Sequence, residues 1–119
     1  MKKTVCVDLD GVLAEYDGWK DVTTFIGKPY PGALEFIKTL SEKYRILIYT
    51  ARTETSIGIE AVQEWLEKNH FTDFRVVLYL GTDKPKAIAY VDDRAVLCRP
   101  AENGNSYEQA LTRIRLLDV

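Results

Sequence analysis

The sequence predicts an α/β fold built on a mainly parallel sheet, and three observations carry that prediction. Short, β-branched apolar runs (TVCVDL, RILIYT, FRVVLY, IAYV) alternate with segments whose apolar residues recur at helical spacing. The runs are apolar nearly throughout rather than alternating, which is the pattern of strands covered on both faces. Several end in polar residues, and open parallel sheets bind ligands beyond the carboxyl ends of their strands.

Each element has its own justification. Thr4 to Leu9 reads as a buried first strand ended by Gly11. Residues 11–31 are punctuated by Gly18, Gly27, Pro29 and Pro31 and read as a loop, with a turn or small hairpin around Tyr16 to Trp19. Pro31 opens a helix, where its missing N–H costs nothing, and Leu34, Ile37 and Leu40 form the apolar stripe. Arg45 to Thr50 is the second strand. The N-capping types Thr53 to Ser56 then start a helix with Val62, Trp65 and Leu66 on its apolar face and Asn69 as terminator. Phe74 to Tyr79 is the third strand, Ile88 to Val91 the fourth, and Val96 to Cys98 a brief fifth. Ser106 with Gln109 makes a capping-box pattern ahead of a last helix faced by Ala110, Leu111, Ile114 and Leu117.

With 119 residues, 46% hydrophobic and 29% charged, the chain suits a single domain over residues 1–119 with a core of its own. A net charge of -2 argues against non-specific nucleic-acid binding, though not against a nucleotide substrate. The start MKKTVCVDLDG is interrupted by Asp8 and Asp10 too early for a signal peptide, and no segment approaches the length of a membrane span. The expectation is a soluble, cytoplasmic protein. Cys6 and Cys98 lie in apolar stretches without metal-ligand spacing and read as buried, reduced thiols.

In a parallel sheet the strand ends converge on one edge. Asp8 and Asp10 close the first strand, Thr50 and Arg52 the second, Asp92, Asp93 and Arg94 the fourth, and Lys84 and Lys86 lie on the approach to it. Carboxylates crowded together raise one another's pKa unless a cation sits among them, and an oxygen-rich site of this kind suits Mg2+. The parts also suit phosphoryl chemistry. One carboxylate can attack phosphorus, a second can protonate the leaving group and then activate water, and a hydroxyl and an ammonium can hold the phosphoryl oxygens.

D-L-D-G-V after the first strand resembles motif I of the haloacid dehalogenase (HAD) superfamily, T-A-R at Thr50 motif II, D-K-P-K the motif III lysine, and Y-V-D-D-R-A the acidic motif IV. They occur in the family's order over residues 8–93. The resemblance implies a Rossmann-like three-layer sandwich, Mg2+ as cofactor, and phosphomonoester hydrolysis of a nucleotide, sugar phosphate or phosphorylated polymer. Asp8 matches the nucleophile, Asp10 the acid/base, Thr50 the phosphate-binding hydroxyl and Lys84 the lysine, with Lys86 as alternative. Asp93 matches the position that ligates the metal, with Asp92 supporting it from behind, and Asp8 and the Asp10 carbonyl match further ligands. Arg52, Lys86 and Arg94 are candidate substrate contacts; the two arginines could instead pair with the surplus carboxylates. Motif IV is DDRA rather than the commoner GDxxxD, and Lys84 lies unusually close to it.

The segment after motif I, with Tyr16, Asp17, Trp19 and Lys20, is a further candidate for substrate contact. The gaps at residues 11–30 and 81–83, where HAD proteins insert cap domains, hold no such domain. A capless site would be closed by a large substrate or by a neighbouring subunit of a homo-oligomer. Thr50 could instead, or also, cap the following helix, since the two roles are compatible; His70 reads as a surface or cap residue, and Trp65 as core. Two other functions compete: a receiver-like phospho-accepting domain, disfavoured because FRVVLY ends in Leu80-Gly81 without an Asp, and a non-catalytic phosphate-binding protein, disfavoured by intact Asp8 and Asp10.

Overall fold

A computed structural model describes residues 2–16, 25–102 and 106–118. Four strands, β1 (Thr4–Val7), β2 (Arg45–Ile48), β3 (Val77–Leu78) and β4 (Ala89–Val91), form one parallel sheet in the order β3-β2-β1-β4. The helices are α1 (Ala33–Ser41), α2 (Ser56–Lys68) and α3 (Ser106–Leu117). This is an α/β, Rossmann-like arrangement with β1 central and the strand order reversing between β1 and β4.

Register sorts the side chains onto two faces. Val5 pairs with Ile46 and Ala89, and Val7 with Ile48 and Val91. Val5, Val7, Ile46 and Ile48 join Ala33 and Ile37 of α1, and Val62, Trp65 and Leu66 of α2, in one apolar core. Alternate residues Cys6, Leu47, Val77 and Tyr90 share the other face, along which a cavity of about 800 Å³ opens between Cys6, Tyr90, Leu97 and their neighbours. Both α1 and α2 cover the first face because β1→β2 and β2→β3 step the same way across the sheet, and right-handed crossovers that step the same way lie on the same side.

Local chemistry fixes the helix ends. Gly32, at φ 88, supplies the left-handed turn before α1, so the helix begins after Pro31 rather than at it. The Thr55 hydroxyl accepts the Gly58 N–H and caps α2, while Asn69 ends it with its side-chain amide donating to the Trp65 carbonyl. Trp65 stacks on fully buried Phe71 at 5.2 Å and donates its indole N–H to the Gly27 carbonyl, so its core reading holds. His70 stands at φ 68 ahead of the turn Phe71–Phe74 with an exposed ring, a cap residue as expected.

Three expectations change. The third strand does not start at Phe74, because Phe71–Phe74 is a helical turn drawn in by buried Phe71, and Arg75 at φ 59 breaks the extended path. No fifth strand forms at Val96 to Cys98 among the described residues; β4 is the sheet's edge and Leu97 stands exposed. Cys98 is exposed rather than buried. Ser106 opens α3 by donating its hydroxyl to the Arg99 carbonyl, tying the helix to the loop before it. The helix itself forms, with Leu111, Ile114 and Leu116 exposed. The expected hairpin around Tyr16 to Trp19, and the candidate contacts Asp17, Trp19 and Lys20, lie outside the described residues apart from Tyr16. No helix is long and apolar enough to cross a membrane among the described residues.

Both cysteines are free, Cys6 at 2% exposure and Cys98 open to solvent, and burial also raises the Cys6 thiol pKa. A disulfide-exchange reagent should therefore titrate one thiol in the native protein and a second only after denaturation. Two thiols reacting at the same native rate would contradict the burial of Cys6.

Candidate active site

The polar residues gather where the strand order reverses, the position at which open parallel sheets bind ligands. Asp8 extends the β1–β4 ladder by one residue, its N–H donating to the Val91 carbonyl at 2.9 Å. This sets Asp8 level with the end of β4, so Asp92 and Asp93 arrive beside it. Carboxylate oxygens of Asp8, Asp92 and Asp93 lie within 4.8 Å of one another. The Leu9 N–H donates to Asp8 Oδ1 at 2.8 Å, and the Arg94 N–H to Asp92 Oδ1 at 2.7 Å, which fixes two of the three.

The chain then turns sharply, with the Leu13 and Ala14 amides both donating to the Leu9 carbonyl. Gly11 sits at φ 83 in this turn, and a Cβ there would fall 2.2 Å from Asp93 Oδ2. Its missing side chain is the room that Asp93 occupies. Ala14 bridges Asp10 and Pro29, and Glu15 N–H donates to the Lys28 carbonyl, so the excursion after Asp10 is pinched at its neck.

Asp8 is half-buried, and burial pushes its carboxyl up to about 7; the Leu9 amide opposes the rise, while Asp92, Asp93 and Asp10 add to it. An all-oxygen donor set whose members repel one another fits a hard divalent cation such as Mg2+.

Asp8 forms a wall shared by two hollows. One, of about 480 Å³, is lined by Asp8, Asp10, Tyr16, Thr50, Ala51, Asp93 and Arg94. The other is the larger cavity on the second sheet face, which Asp8 and Asp92 share with Lys84. Thr50 is buried, and its Oγ1 accepts the Arg52 N–H at 3.3 Å, so it is both a cap and a site residue whose O–H remains to donate. Lys84 reaches over the Tyr90 ring, 4.6 Å from its centroid, and the Tyr90 hydroxyl donates to the Pro85 carbonyl at 2.5 Å. Lys86 is exposed and lines neither hollow, which favours Lys84 as the lysine of the site.

Of the two arginines, Arg94 lines the smaller hollow. Arg52 does not. Its Nε donates to Asp10 Oδ2 at 2.7 Å and its Nη2 to Asp10 Oδ1 at 3.0 Å, with side-chain exposures of 3% and 11% for the pair. Of the two uses expected for Arg52, the structure shows the pairing with a carboxylate. Sequence reasoning gave Gly11 only as the end of the first strand and did not name Tyr90; the contact of Gly11 with Asp93 depends on the fold.

A Gly11→Ala variant should lose about 1–2 kcal/mol from its positive φ and bind divalent cations more weakly because Asp93 is displaced. Calorimetric titration with Mg2+ tests this; unchanged affinity would remove Gly11 from the site's design. A second expectation concerns pH. The folded-state Asp8 pKa, about 7, lies above its ordinary 3.8, so the stability that protonated Asp8 contributes is full below that ordinary value and is lost as pH rises through the folded one. The chelated protein should melt lower at about pH 7.5 than at about pH 5, and Mg2+ should raise Tm more at the higher pH. A Mg2+ effect independent of pH would place the cation elsewhere.

No protein-family model and no curated protein matches the chain. Among solved structures it is similar to a conserved protein from Bacteroides thetaiotaomicron, at 23% identity over 92% of each chain with a TM-score of 0.56. At that identity the likeness shows the fold, and the α/β, Rossmann-like architecture is what the two chains share.

Proposed function

We propose that the protein is a Mg2+-dependent phosphomonoester hydrolase of the HAD type, acting through an aspartyl-phosphate on Asp8. The observation that carries this reading is the convergence of Asp8, Asp92 and Asp93 within 4.8 Å at the switch point of a parallel sheet, beside Thr50 and Asp10. The D-L-D-G, T-A-R, D-K-P-K and D-D-R-A motifs support it, each lying at or near a strand end.

Asp8, Asp93 and Asp92, with the Asp10 carbonyl, would hold the cation, which when bound neutralises phosphoryl charge and keeps Asp8 ionised. Ionised Asp8 attacks phosphorus while the P–O bond to the leaving alcohol breaks, and Asp10, which must enter this step carrying a proton, gives it to the departing oxygen. Water then attacks the aspartyl-phosphate and gives its proton to Asp10; inorganic phosphate leaves and the Asp8 carboxylate is restored. The Thr50 hydroxyl and the Lys84 ammonium hold phosphoryl oxygens in both steps, and Arg94 meets the substrate at the rim. A cytoplasmic setting is part of the proposal, since both cysteines are free thiols.

Hydrolysis of an aryl phosphate, with and without Mg2+, tests the reading. Activity should disappear on chelation and return with Mg2+. Asp8→Asn should fall to background while keeping its fold, and Asp10→Asn should lose about 10²- to 10⁴-fold in kcat. Wild-type turnover in Asp8→Asn, with deamidation excluded by mass, would displace the nucleophile; a loss of only a few-fold in Asp10→Asn would reduce Asp10 to a structural part.

A further inference from the structure

We infer that Arg52 is a positioning residue that acts on the reaction through Asp10, rather than a contact for substrate; this rests on the hydrolase reading above. The guanidinium grips both Asp10 oxygens in a two-pronged fork at 2.7 and 3.0 Å, in a setting nearly closed to water. A carboxylate has about four lone-pair sites, and the fork takes one on each oxygen, so Asp10 keeps a site on each for a proton. What the fork removes is rotation. Asp10 hangs from the turn after β1, and without a partner its carboxyl would be free to swing away from the Asp8 side of the hollow.

Arg52 is itself held. Its backbone N–H is bound by Thr50 Oγ1, and its carbonyl is pressed by the first turn of α2, where a Cβ on Gly58 would lie only 2.0 Å from it. Thr50, Arg52 and Asp10 are thus a connected unit. The end of β2 places the hydroxyl that would hold phosphate, and the same short turn places the cation that orients the acid/base. A guanidinium suits this part because its planar fork fixes two bonds at once, whereas an ammonium is a point charge on a flexible stem.

The two roles for Arg52 separate in kinetics. A substrate contact raises KM when removed; a positioning residue lowers kcat and leaves KM alone. Acting through Asp10 also means that Arg52 has nothing left to lose once Asp10 cannot exchange a proton. The experiment measures kcat and KM for an aryl phosphate in the wild type, Arg52→Lys, Asp10→Asn and the double variant, each checked by melting. Arg52→Lys should lower kcat on the order of 10- to 100-fold, the scale of a misplaced catalytic group, with KM within about 2-fold. In the Asp10→Asn background the same change should cost less than about 2-fold. Losses that multiply across the two sites, or a rise in KM with kcat kept, would overturn the assignment. Should Arg52→Lys fail to fold, Arg52→Ala with added guanidinium gives the same comparison; restored kcat in Arg52→Ala but not in the double variant supports the assignment, and restoration of both or neither overturns it. A wild type without phosphatase activity would instead defeat the hydrolase reading, and this assignment with it.

Discussion

Strand β1 hydrogen-bonds to β2 on one side and β4 on the other, so Val7 lies level with both Ile48 and Val91. Because all three strands run the same way, whatever follows those residues emerges together. Asp8, Tyr49-Thr50 and Asp92-Asp93 are therefore neighbours by backbone pairing. The ladder continues through the bond from Asp8 N–H to the Val91 carbonyl, which leaves the backbone little room to spread the charges. Repulsion is instead carried by the side chains, and it adds to the burial that raises Asp8. Gly11 then supplies the space that lets Asp93 stay close.

Two sets of carboxylates meet this crowding in different ways. Asp10 has a cation supplied by the fold, and the pair is almost out of water. Removing two charges from solvent is expensive, and the cost is offset only by good geometry, which the forked contact provides. Asp8, Asp92 and Asp93 have no comparable partner among the described residues and remain more open. That asymmetry makes chemical sense. On the hydrolase reading proposed above, Asp10 as acid/base needs a fixed direction, which a covalently tethered guanidinium supplies. On the same reading Asp8 must approach phosphate, so its charge is better balanced by an exchangeable ion that can also bind the incoming oxygens.

Much of this was legible in the chain. A carboxylate at the end of an apolar run is costly to bury without purpose, so Asp8 and Asp10 stood out, as did Asp92 and Asp93. Apolar continuity of the runs gave the parallel sheet. Contacts between distant residues were not legible: Arg52 and Asp10 are 42 positions apart, and only the fold decides whether an arginine beside a hydroxyl points at substrate or at a neighbour. Tertiary packing also overrode local preference in FRVVLY: Phe71, three residues ahead of it, is drawn into the core against Trp65 and Arg75 takes a left-handed conformation, so that strand begins later than its β-branched composition suggests. Val96 to Cys98 has strand composition but no ladder beyond β4, and composition alone cannot supply one.

The position of Lys84 follows from the same topology. From β3 the chain must cross back over β2 and β1 to reach the far side, which reverses the direction of stepping and sends the connection over the face opposite α1 and α2. Residues 79–88 make that crossing with no helix. A helix there would cover the second sheet face; the short path leaves the cavity of about 800 Å³ beside Cys6 and Tyr90. It also draws Lys84 down onto the Tyr90 ring, with Pro85 buried and held by the Tyr90 hydroxyl. Because Tyr90 is level with Cys6 in the β1–β4 register, this anchor stands two residues below Asp8 and Asp92 on the same face. The brevity that leaves the sheet open on this side is thus what brings an ammonium to the wall of the cavity that Asp8 also lines.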